Sequence, residues 1–537
     1  MMIAVLAVLP LLALAAPPSA SATQPIWVYL QEAPAGAIDP AQTPLTQRAL
    51  ERRALRRTLP GLVDARDLPI DEATLAHIRA TGATVRQTSR WLRAVSVDAT
   101  PAQMRALRAL PEVRTLAPVA RGTRRDGDAG KRFDPAEGVP EGLAPAPASA
   151  ASAIAAMAPT DYGASFTGLD QIQVPALHAR GFAGAGIVIG ILDTGFNRVH
   201  EAFHSAEHPL TVLAEWDFVD HDPNTAPQAG DPGGQHNHGT WILGTLAAYL
   251  PGTLLGTAYE AHFVLAKTEI VPVEIPVEED NYVAGIEFIE AQGADISTSS
   301  LGYIDWYSQA QLDGHTAVTT VAVNLATANG VVCLTAAGNQ GHDGDPATNH
   351  LLAPADALEV LSIGAAHSDG SIASFSSDGP SADGRVKPEL LALGVSVPSV
   401  HTDDTTGLQW LSGTSLATPL AAGAMACVLE ARPDLRAQPV SALRTAAIAT
   451  ATESAGGTTF DPLYIRGYGF IQADAIARRN RSVGDLNVDG IVDGADLGLM
   501  LGMWGSCANV AGCVADLNHD GVVDGADLGL LLGSWGN

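Results

Sequence analysis

The fold is decided by the segment IVIGILDTG, residues 187–195, an unbroken apolar run that ends in Asp-Thr-Gly. Strands of a parallel sheet that is covered on both faces read as continuous apolar runs, because neither face meets water. Asp193 therefore falls at the carboxyl end of a predicted buried strand, and sites in open α/β sheets form at that end. It is a candidate site carboxylate, although the aspartate of an ordinary turn would fit the same pattern.

Strand-like and helix-like segments alternate over residues 160–477. Uninterrupted Val, Ile and Leu runs that are separated by helices predict an α/β domain with a mainly parallel sheet covered on both faces. Further strands are predicted at 263–267, 295–299, 331–336 and 360–365, and helices at 282–292 and 315–329.

The composition bounds the function. The 537 residues are 47% hydrophobic, enough for sizeable cores, and the length indicates three or four domains. The net charge of −28 argues against nucleic-acid binding, which needs a basic face. Residues 23–125 nevertheless carry a net charge of +7, so the rest carries −35. A basic segment beside an acidic body indicates two parts that attract each other.

The first 22 residues have the features of a secretory signal. An apolar run leads to Ala20-Ser21-Ala22, a small-x-small cleavage pattern, although the usual positive start is missing. We therefore predict a secreted protein, extracellular or associated with the cell surface, without a membrane span after signal removal. Residues 121–158, first basic and then rich in Ala and Pro, are predicted to be a linker in which processing occurs.

Residues 25–118 predict a small α+β unit. Its first predicted helix is rich in arginine, and Thr100-Pro101 is typical of the start of another helix. Helices are predicted at 45–59, 71–80 and 100–110, and strands at 26–30, 84–88, 92–97 and 113–118.

A single hydroxyl group lies among small residues in GTSLATP, residues 413–419, directly before an apolar helix-like run. Ser415 would lie in the first turn of that helix, where free backbone N–H groups favour a developing negative charge. Pro419 would fall in the first turns, where a missing N–H is least harmful. His238 begins another helix-like run, and Asn339 follows a strand with an amide that can donate to an oxyanion. Each motif alone also fits an ordinary loop.

Together these motifs resemble the subtilisin-like serine proteases, in which Asp, His and Ser follow in this order. Asp-Thr-Gly, His-Gly-Thr and Gly-Thr-Ser-x-Ala-x-Pro match within about residues 174–475. The resemblance implies a three-layer α/β fold and a serine endopeptidase that forms an acyl-enzyme. The implied roles are nucleophile for Ser415, general base for His238 rather than His236, orienting carboxylate for Asp193 and side-chain oxyanion donor for Asn339.

The same resemblance implies two substrate-binding walls for a protein or peptide substrate. Ser300, Leu301 and Gly302 resemble the edge strand that pairs with an extended substrate. Ala336, Ala337 and Gly338 resemble the opposite wall of the primary specificity pocket. The first segment could equally be an ordinary strand end.

The N-terminal unit, residues 23–120, resembles subtilase pro-domains in position and pattern. The segment 89–97 looks like the pairing strand of such a domain. The implied role is that of a folding assistant and temporary inhibitor of the peptidase domain, residues 159–478, until self-cleavage removes it. A retained N-terminal domain without an inhibitory role is the alternative.

The C-terminal region contains a repeat, DLNVDG at 485–490 and DLNHDG at 516–521. Oxygen ligands at alternate positions with Gly at the sixth follow the EF-hand spacing, apart from Asp instead of Glu at position twelve. Two calcium ions are expected, neither required for the chemistry. The predicted ligands are Asp485, Asn487, Asp489, the Ile491 carbonyl, Asp493 and Asp496, and then Asp516, Asn518, Asp520, the Val522 carbonyl, Asp524 and Asp527.

Duplicated loops with one following helix each resemble type I dockerin domains, here over residues 482–537. The resemblance implies a helical module that folds on calcium and binds a cohesin-like or other surface partner. The pairs Gly494-Ala495 and Gly525-Ala526 stand where dockerins often carry partner recognition, and these small residues argue against ordinary cohesin binding. Cys507 and Cys513 are candidates for a disulfide, whereas Cys333 and Cys427 are expected to be buried thiols.

The leading hypothesis is a secreted, calcium-binding serine endopeptidase. The alternative is a catalytically dispensable component of a surface assembly that acts through the dockerin-like tail. The presence of all four expected catalytic residues argues for the enzyme.

Overall fold

The protein is described from a computed structural model that covers residues 22–32, 38–119, 159–271, 278–304, 306–510 and 512–536. The predicted linker lies outside these residues, and so does the predicted signal sequence apart from Ala22. The described residues form three parts: the N-terminal domain (residues 22–119), the central domain (residues 159–478) and the C-terminal module (residues 482–536).

The N-terminal domain is a four-stranded antiparallel sheet with the strand order β2-β3-β1-β4, packed against short helices. Thr46, Asp71 and Thr100 cap the three helices, each side chain accepting a hydrogen bond from a backbone N–H of the first turn. The elements are β1 (Gln24–Leu30), α1 (Gln47–Arg56), α2 (Glu72–Ala80), β2 (Thr84–Ser89), β3 (Ala94–Ala99), α3 (Pro101–Arg108) and β4 (Val113–Pro118).

The segment 89–97, predicted as a single pairing strand, is a hairpin instead. Strand β2 ends at Ser89, Arg93 adopts a left-handed backbone with a φ of 49°, and β3 begins at Ala94. The turn carries Trp91, whose side chain is buried in the same core cluster as Val188 and Tyr282 of the central domain. The hairpin therefore inserts an aromatic side chain into the neighbouring domain.

The central domain is built on a seven-stranded sheet in the order β13-β12-β11-β10-β5-β9-β6, and every pair in it is parallel. Alternate residues of β5 pack into different cores: Ile189 and Ile191 into one, Val188 and Leu192 into the other. The predicted α/β class is confirmed. The strands are β5 (Val188–Asp193), β6 (Thr211–Asp217), β7 (Tyr249–Leu250), β8 (Leu254–Leu255), β9 (His262–Lys267), β10 (Ile296–Ser299), β11 (Val332–Ala336), β12 (Leu361–Ala366), β13 (Leu390–Leu393), β14 (Val397–Val400) and β15 (Leu408–Leu411).

Helices cover both faces of this sheet. One side packs against α6 and α9, and the other against α7 and α8. Helix α9 is the one helix within the described ranges that is long and apolar enough to cross a membrane, and it is buried in the domain core. The helices are α4 (Phe166–Gln171), α5 (Val174–His178), α6 (Asn237–Ala247), α7 (Glu278–Ala291), α8 (Val318–Ala328), α9 (Thr414–Ala431), α10 (Pro433–Arg436), α11 (Val440–Thr450) and α12 (Ala473–Arg478).

The C-terminal module pairs two loop-helix repeats. Asp493 and Asp524 begin their helices with the same capping box, in which Asp496 and Asp527 bond back to the cap. A disulfide joins Cys507 to Cys513, and Cys333 and Cys427 are buried free thiols, as predicted. The elements are α13 (Gly494–Gly502), β16 (Gly505–Ser506), β17 (Val522–Val523) and α14 (Gly525–Gly533).

Candidate active site

Asp193 and His238 are directly bonded. Asp193 is the last residue of β5 and is completely buried, and its Oδ1 lies 2.7 Å from His238 Nδ1. A carboxylate only accepts hydrogen bonds, so Nδ1 carries the proton and the other ring nitrogen, Nε2, is left as the basic one. The backbone N–H of Thr194 donates to the same carboxylate oxygen at 2.7 Å and fixes its position.

Glycines let the start of helix α6 approach the turn after β5. A Cβ added at Gly239 would lie 2.2 Å from the carbonyl oxygen of Gly195, so only glycine fits directly after His238. Gly195 itself has a φ of 116°, a left-handed conformation that favours glycine. The motifs Asp-Thr-Gly and His-Gly-Thr therefore fit each other physically and hold the carboxylate against the imidazole.

Ser415 is the second residue of α9 and is almost completely buried. Its Oγ has no hydrogen-bond partner within the ranges that the structure covers. A Cβ at Gly413 would lie 2.7 Å from this oxygen and 3.5 Å from Asn339 Nδ2. Gly413 thus leaves open the space that the hydroxyl and the amide share.

Asn339 has its amide oriented by the residue before the serine. Its Oδ1 accepts hydrogen bonds from the backbone N–H and the hydroxyl of Thr414, both at 2.9 Å. Since the oxygen is held there, the Nδ2 donor faces the side of Gly413. Asn339 follows β11 and Asp193 ends β5, and carboxyl ends of parallel strands meet at one edge of the sheet.

The carbonyl of Ser415 has an unusual partner. In a regular helix this carbonyl would accept from the N–H of residue 419, which is proline here. Ser300 Oγ donates to it instead at 2.7 Å. The expectation that Pro419 lies where a missing N–H is harmless was wrong, because Pro419 is inside α9 and the missing bond falls on Ser415 itself.

The two predicted substrate walls come together around one side chain. Strand β10 ends at Ser299, so Ser300, Leu301 and Gly302 follow it as irregular backbone. Ala336 ends β11, and Ala337 and Gly338 follow it. Added Cβ atoms at Gly302 and Gly338 would lie 2.5 and 2.7 Å from Leu352. Leu352, which has no motif in the sequence, therefore lies between the walls.

His236, the histidine not predicted as the base, is engaged elsewhere. Its Nε2 lies 3.4 Å from Asp231, and burial lowers its pKa. Asp231 also bonds to the buried Lys267 Nζ at 2.9 Å, as does Asp217 at 2.8 Å. Burial acts to lower the pKa of Lys267, but its bonds to these carboxylates outweigh burial and raise it.

Sequence reasoning missed a buried acidic face on helix α7, which receives the N-terminal domain. Glu290 is fully buried and bonds to Arg52, Arg53 and Arg90. Burial would raise the pKa of Glu290, but Arg52 and Arg53 outweigh burial and lower it. Glu287 accepts from the Ser89 hydroxyl and the Arg90 N–H, and burial raises its pKa to about 7.

Helix α1 and the residues directly after it also cover the ends of two central-domain helices. Arg52 donates to the carbonyl of Glu290 in the last turn of α7 and to the carbonyl of Ala294 beyond its end, and the N–H of Thr58, which follows α1, donates to the carbonyl of Ala328 at the end of α8. Arg56 pairs with Asp295 at 2.6 Å. Cations are favoured at helix C-termini, where carbonyls lack helical partners.

The predicted calcium ligands lie in two loops with matching hydrogen bonds. In the first loop, Asp485 accepts from the N–H of Gly490 at 2.9 Å, and Asp496 accepts from the N–H of Leu486 at 2.7 Å. In the second loop, Asp516 and Asp527 make the equivalent bonds at 2.8 and 2.7 Å. The sixth-position glycines have φ values of 100° and 90°.

The loop side chains fit calcium in kind. Their donors are all oxygens, which hard cations prefer. Asp485 Oδ1 is buried without a hydrogen-bond partner among the residues described. Within those residues, however, no three His, Cys, Asp or Glu side chains are grouped as they would be around an ion. Carboxylates of the first loop accept hydrogen bonds from the backbone N–H groups of Gly490, Ile491 and Asp493.

Two family models match the chain. The model described as the subtilase family matches residues 184–469, and the model described as the peptidase S8 propeptide domain of Bacteroidota matches residues 25–130. Both matches end before the C-terminal module begins.

Curated relatives and a solved structure give the same picture. Subtilisin E of Bacillus subtilis is 31% identical over 268 residues, which are 50% of this chain and 61% of subtilisin E. Subtilisin of Bacillus pumilus is 31% identical over 268 residues, which are 50% of this chain and 85% of that protein. Fervidolysin from Fervidobacterium pennivorans, described as a keratinolytic enzyme related to subtilisin, has a TM-score of 0.53 at 20% identity, over 84% of this chain and 60% of that chain. The chain thus spans about three fifths of several relatives that it matches.

Proposed function

The chain belongs to the subtilase family, and on this premise we propose that it is a secreted serine endopeptidase that cleaves peptide bonds through an acyl-enzyme on Ser415. The observation that carries the proposal is the 2.7 Å hydrogen bond between Asp193 and His238. In this hydrogen bond the proton of the His238 ring lies on Nδ1, next to Asp193. Nε2 is therefore left to accept the proton of Ser415, as the proposed role requires.

In the proposed reaction, Ser415 Oγ attacks the substrate carbonyl carbon while His238 Nε2 takes its proton. Asp193 stabilises the imidazolium that forms. His238 then gives the proton to the leaving amine, the peptide C–N bond breaks, and an ester on Ser415 remains. Water, deprotonated by His238, hydrolyses this ester and restores the serine.

The oxyanion is assigned to two donors, Asn339 Nδ2 and the backbone N–H of Ser415. The bonds from Thr414 to Asn339 Oδ1 support this role, because they leave the amide nitrogen as the group on the side of the serine. In subtilisin, removal of such a donor lowers turnover by about 10²–10³. Ser300 also helps to hold Ser415 in place, because its hydroxyl donates to the Ser415 carbonyl.

Labelling with a fluorophosphonate tests the proposed nucleophile. The reagent should modify the processed protein at Ser415 alone, and peptide mass spectrometry identifies the site. Ser441→Ala, a change at an exposed serine of α11, should label normally. Labelling at another serine, or none in a preparation that hydrolyses casein, would reject the assignment.

The proposed substrate is an extended peptide held between residues 300–302 and 336–338, with a small side chain before the cleaved bond. Leu352 supports this preference, because it occupies space between the two walls.

Leu352→Gly should enlarge the pocket and raise kcat/KM for peptides with Phe or Leu before the cleaved bond by about tenfold relative to Ala, in line with the 1–3 kcal/mol typical of apolar pockets. A peptide-library digest measures the ratio. An unchanged ratio would show that Leu352 does not line the pocket.

The proposal includes the N-terminal domain as a temporary inhibitor, removed by cleavage within residues 121–158. Its match to a propeptide model and its extensive ion pairs with helix α7 support this role. The alternative is a domain that stays attached after activation.

The proposal also assigns two calcium ions to the C-terminal module, one to each loop. The oxygen-only donor sets and the unpartnered Asp485 Oδ1 support calcium, and the repeat resembles dockerins.

Attachment to a cohesin-like or surface partner is a second candidate function, favoured by the exposed Trp504 and Trp535. If a cohesin is the partner despite the small residues at 494–495 and 525–526, immobilised Ser415→Ala protein retains it in calcium and releases it in chelator; failure to bind in calcium would reject cohesin as the partner.

A further inference from the structure

The two calcium loops differ at their fourth position, where the first has Val488 and the second has His519. Both residues have a left-handed backbone with a φ of 62°. A β-branched residue is strongly disfavoured in this conformation, more so than histidine. The valine at position 488 therefore indicates a structural requirement in the first loop that is absent from the second loop.

That requirement is a contact with the central domain. Val488 is 1% exposed and belongs to the hydrophobic core that contains Leu177 of α5 and Ile476 of α12. His519 is exposed to solvent. The first loop is thus continuous with the core of the central domain through a side chain that the second loop lacks.

Arg180 makes a second contact between the two parts. Its buried guanidinium pairs with Asp474 of α12, and its Nε donates to the carbonyl of Leu486 at 2.5 Å. The N–H of Leu486 donates in turn to Asp496, the last proposed ligand of that loop. Among the hydrogen bonds of the described residues, none joins the second loop, residues 516–527, to the central domain.

A third contact comes from the segment that the disulfide closes. Gly512 has a φ of 63°, and a Cβ there would lie 2.4 Å from the backbone nitrogen of Ala176 in α5. The module thus approaches α5 with backbone as well as with Val488. Three independent contacts therefore converge on one patch of the central domain, formed by α5, Arg180 and α12.

We propose that the first loop is a calcium-dependent clasp that fastens the C-terminal module to the central domain, and that the second loop takes no part in this contact. The inference rests on the calcium binding of the proposed function. An ion in the first loop orders the backbone of residues 485–488, which carries the contacts to Arg180 and to the core. Because a ligand that binds only the folded state stabilises it by mass action, this ion stabilises the central domain and the second ion does not.

A matched pair of variants tests the clasp. Asp489→Ala and Asp520→Ala remove the same exposed loop side chain from the first and second loop. Both are made in full-length Ser415→Ala protein, which prevents self-digestion. Each should lose one of two calcium ions in a titration. In saturating calcium, Asp489→Ala should lower the calorimetric unfolding temperature of the central domain by about 3–6 °C and speed hydrogen exchange in α5, whereas Asp520→Ala should change neither.

Equal effects of the two variants on the central domain, or no effect of either, would overturn the clasp. A second pair separates this outcome from a failure of calcium binding itself. If the parent protein binds no calcium, the calcium part of the proposal is wrong, and Val488→Asp against His519→Asp still tests the contact. Val488→Asp should destabilise the central domain and His519→Asp should not; equal behaviour would show that the first loop is not docked.

Discussion

The N-terminal domain and the C-terminal module contact the central domain through contacts of different composition. The N-terminal domain presents arginines of α1 and the β2–β3 hairpin to buried carboxylates on and beyond α7. The C-terminal module presents an apolar side chain, Val488, and a backbone carbonyl that receives Arg180. Paired charges dominate the first contact, which also includes the buried Trp91, whereas the second combines apolar packing with the hydrogen bond from Arg180.

The difference in composition affects the free energy of separating each part from the central domain. Paired charges that come apart regain water, so their hydration offsets much of the attraction that is lost. An apolar side chain such as Val488 has no such compensation, and its exposure costs about 1.5–3 kcal/mol. Apart from the buried Trp91, the charged contact is compatible with the proposed removal of the N-terminal domain, and the apolar contact is compatible with a module that stays attached.

The largest effect is expected from breaking the charged contact on one side only. Glu290→Ala leaves the buried guanidinium groups of Arg52 and Arg53 without their shared partner, which typically costs about 3–5 kcal/mol. The inhibition constant of separately added N-terminal domain should rise about 100-fold or more. Glu51→Ala, at an exposed site on the outer face of α1, should change it little. A change below about threefold for Glu290→Ala would show that the ion cluster does not hold the domain.

A smaller effect is expected from pH, and only at the N-terminal contact. Burial raises the pKa of Glu287 to about 7 in the complex, from an ordinary value near 4.5. The complex therefore binds a proton that the separated parts release, so affinity is highest at low pH and falls as pH rises from about 4.5 to 7. The pKa of Glu290 is lowered instead, so its contribution is lost only as pH falls below that window.

Inhibition by added N-terminal domain, measured between pH 5 and pH 8, tests this sign. The inhibition constant should rise by at most about tenfold per pH unit across the window, and Glu287→Gln should flatten the profile. Tighter inhibition with rising pH would contradict the assignment to Glu287.

Much of the fold could be predicted because the buried strands have a recognisable sequence pattern. Strands such as β5 and β11 are continuous apolar runs, and both were predicted to within one residue at either end. Strand β6 was not predicted, because it lies at the sheet edge and its half-exposed sequence includes Ala214 and Glu215. The separate strands predicted at 84–88 and 92–97 match β2 and β3 to within two residues, but the interpretation of 89–97 as one pairing strand was wrong, because the turn residues Trp91 and Leu92 are apolar and resemble a strand.

The candidate site likewise contains residues that could be predicted from the sequence and contacts that could not. Asp193, His238, Ser415 and Asn339 belong to local motifs, so each was predicted, and their roles stay a proposal. The contact of Glu290 with Arg52 joins residues 238 positions apart and leaves no local pattern. The bond from Ser300 to the Ser415 carbonyl and the position of Leu352 likewise depend on how distant segments meet. Proline four residues after Ser415 was the one available signal for the former.

Self-processing in a purified, refolded protein tests the central claim most directly. Full-length wild-type protein, refolded alone and followed by intact mass and N-terminal sequencing, should lose its N-terminal domain through a cut within residues 121–158. The Ser415→Ala variant, treated identically, should keep its full mass while retaining the same secondary structure by circular dichroism. Processing of the variant at the wild-type site and rate would contradict the assignment of Ser415 as the nucleophile.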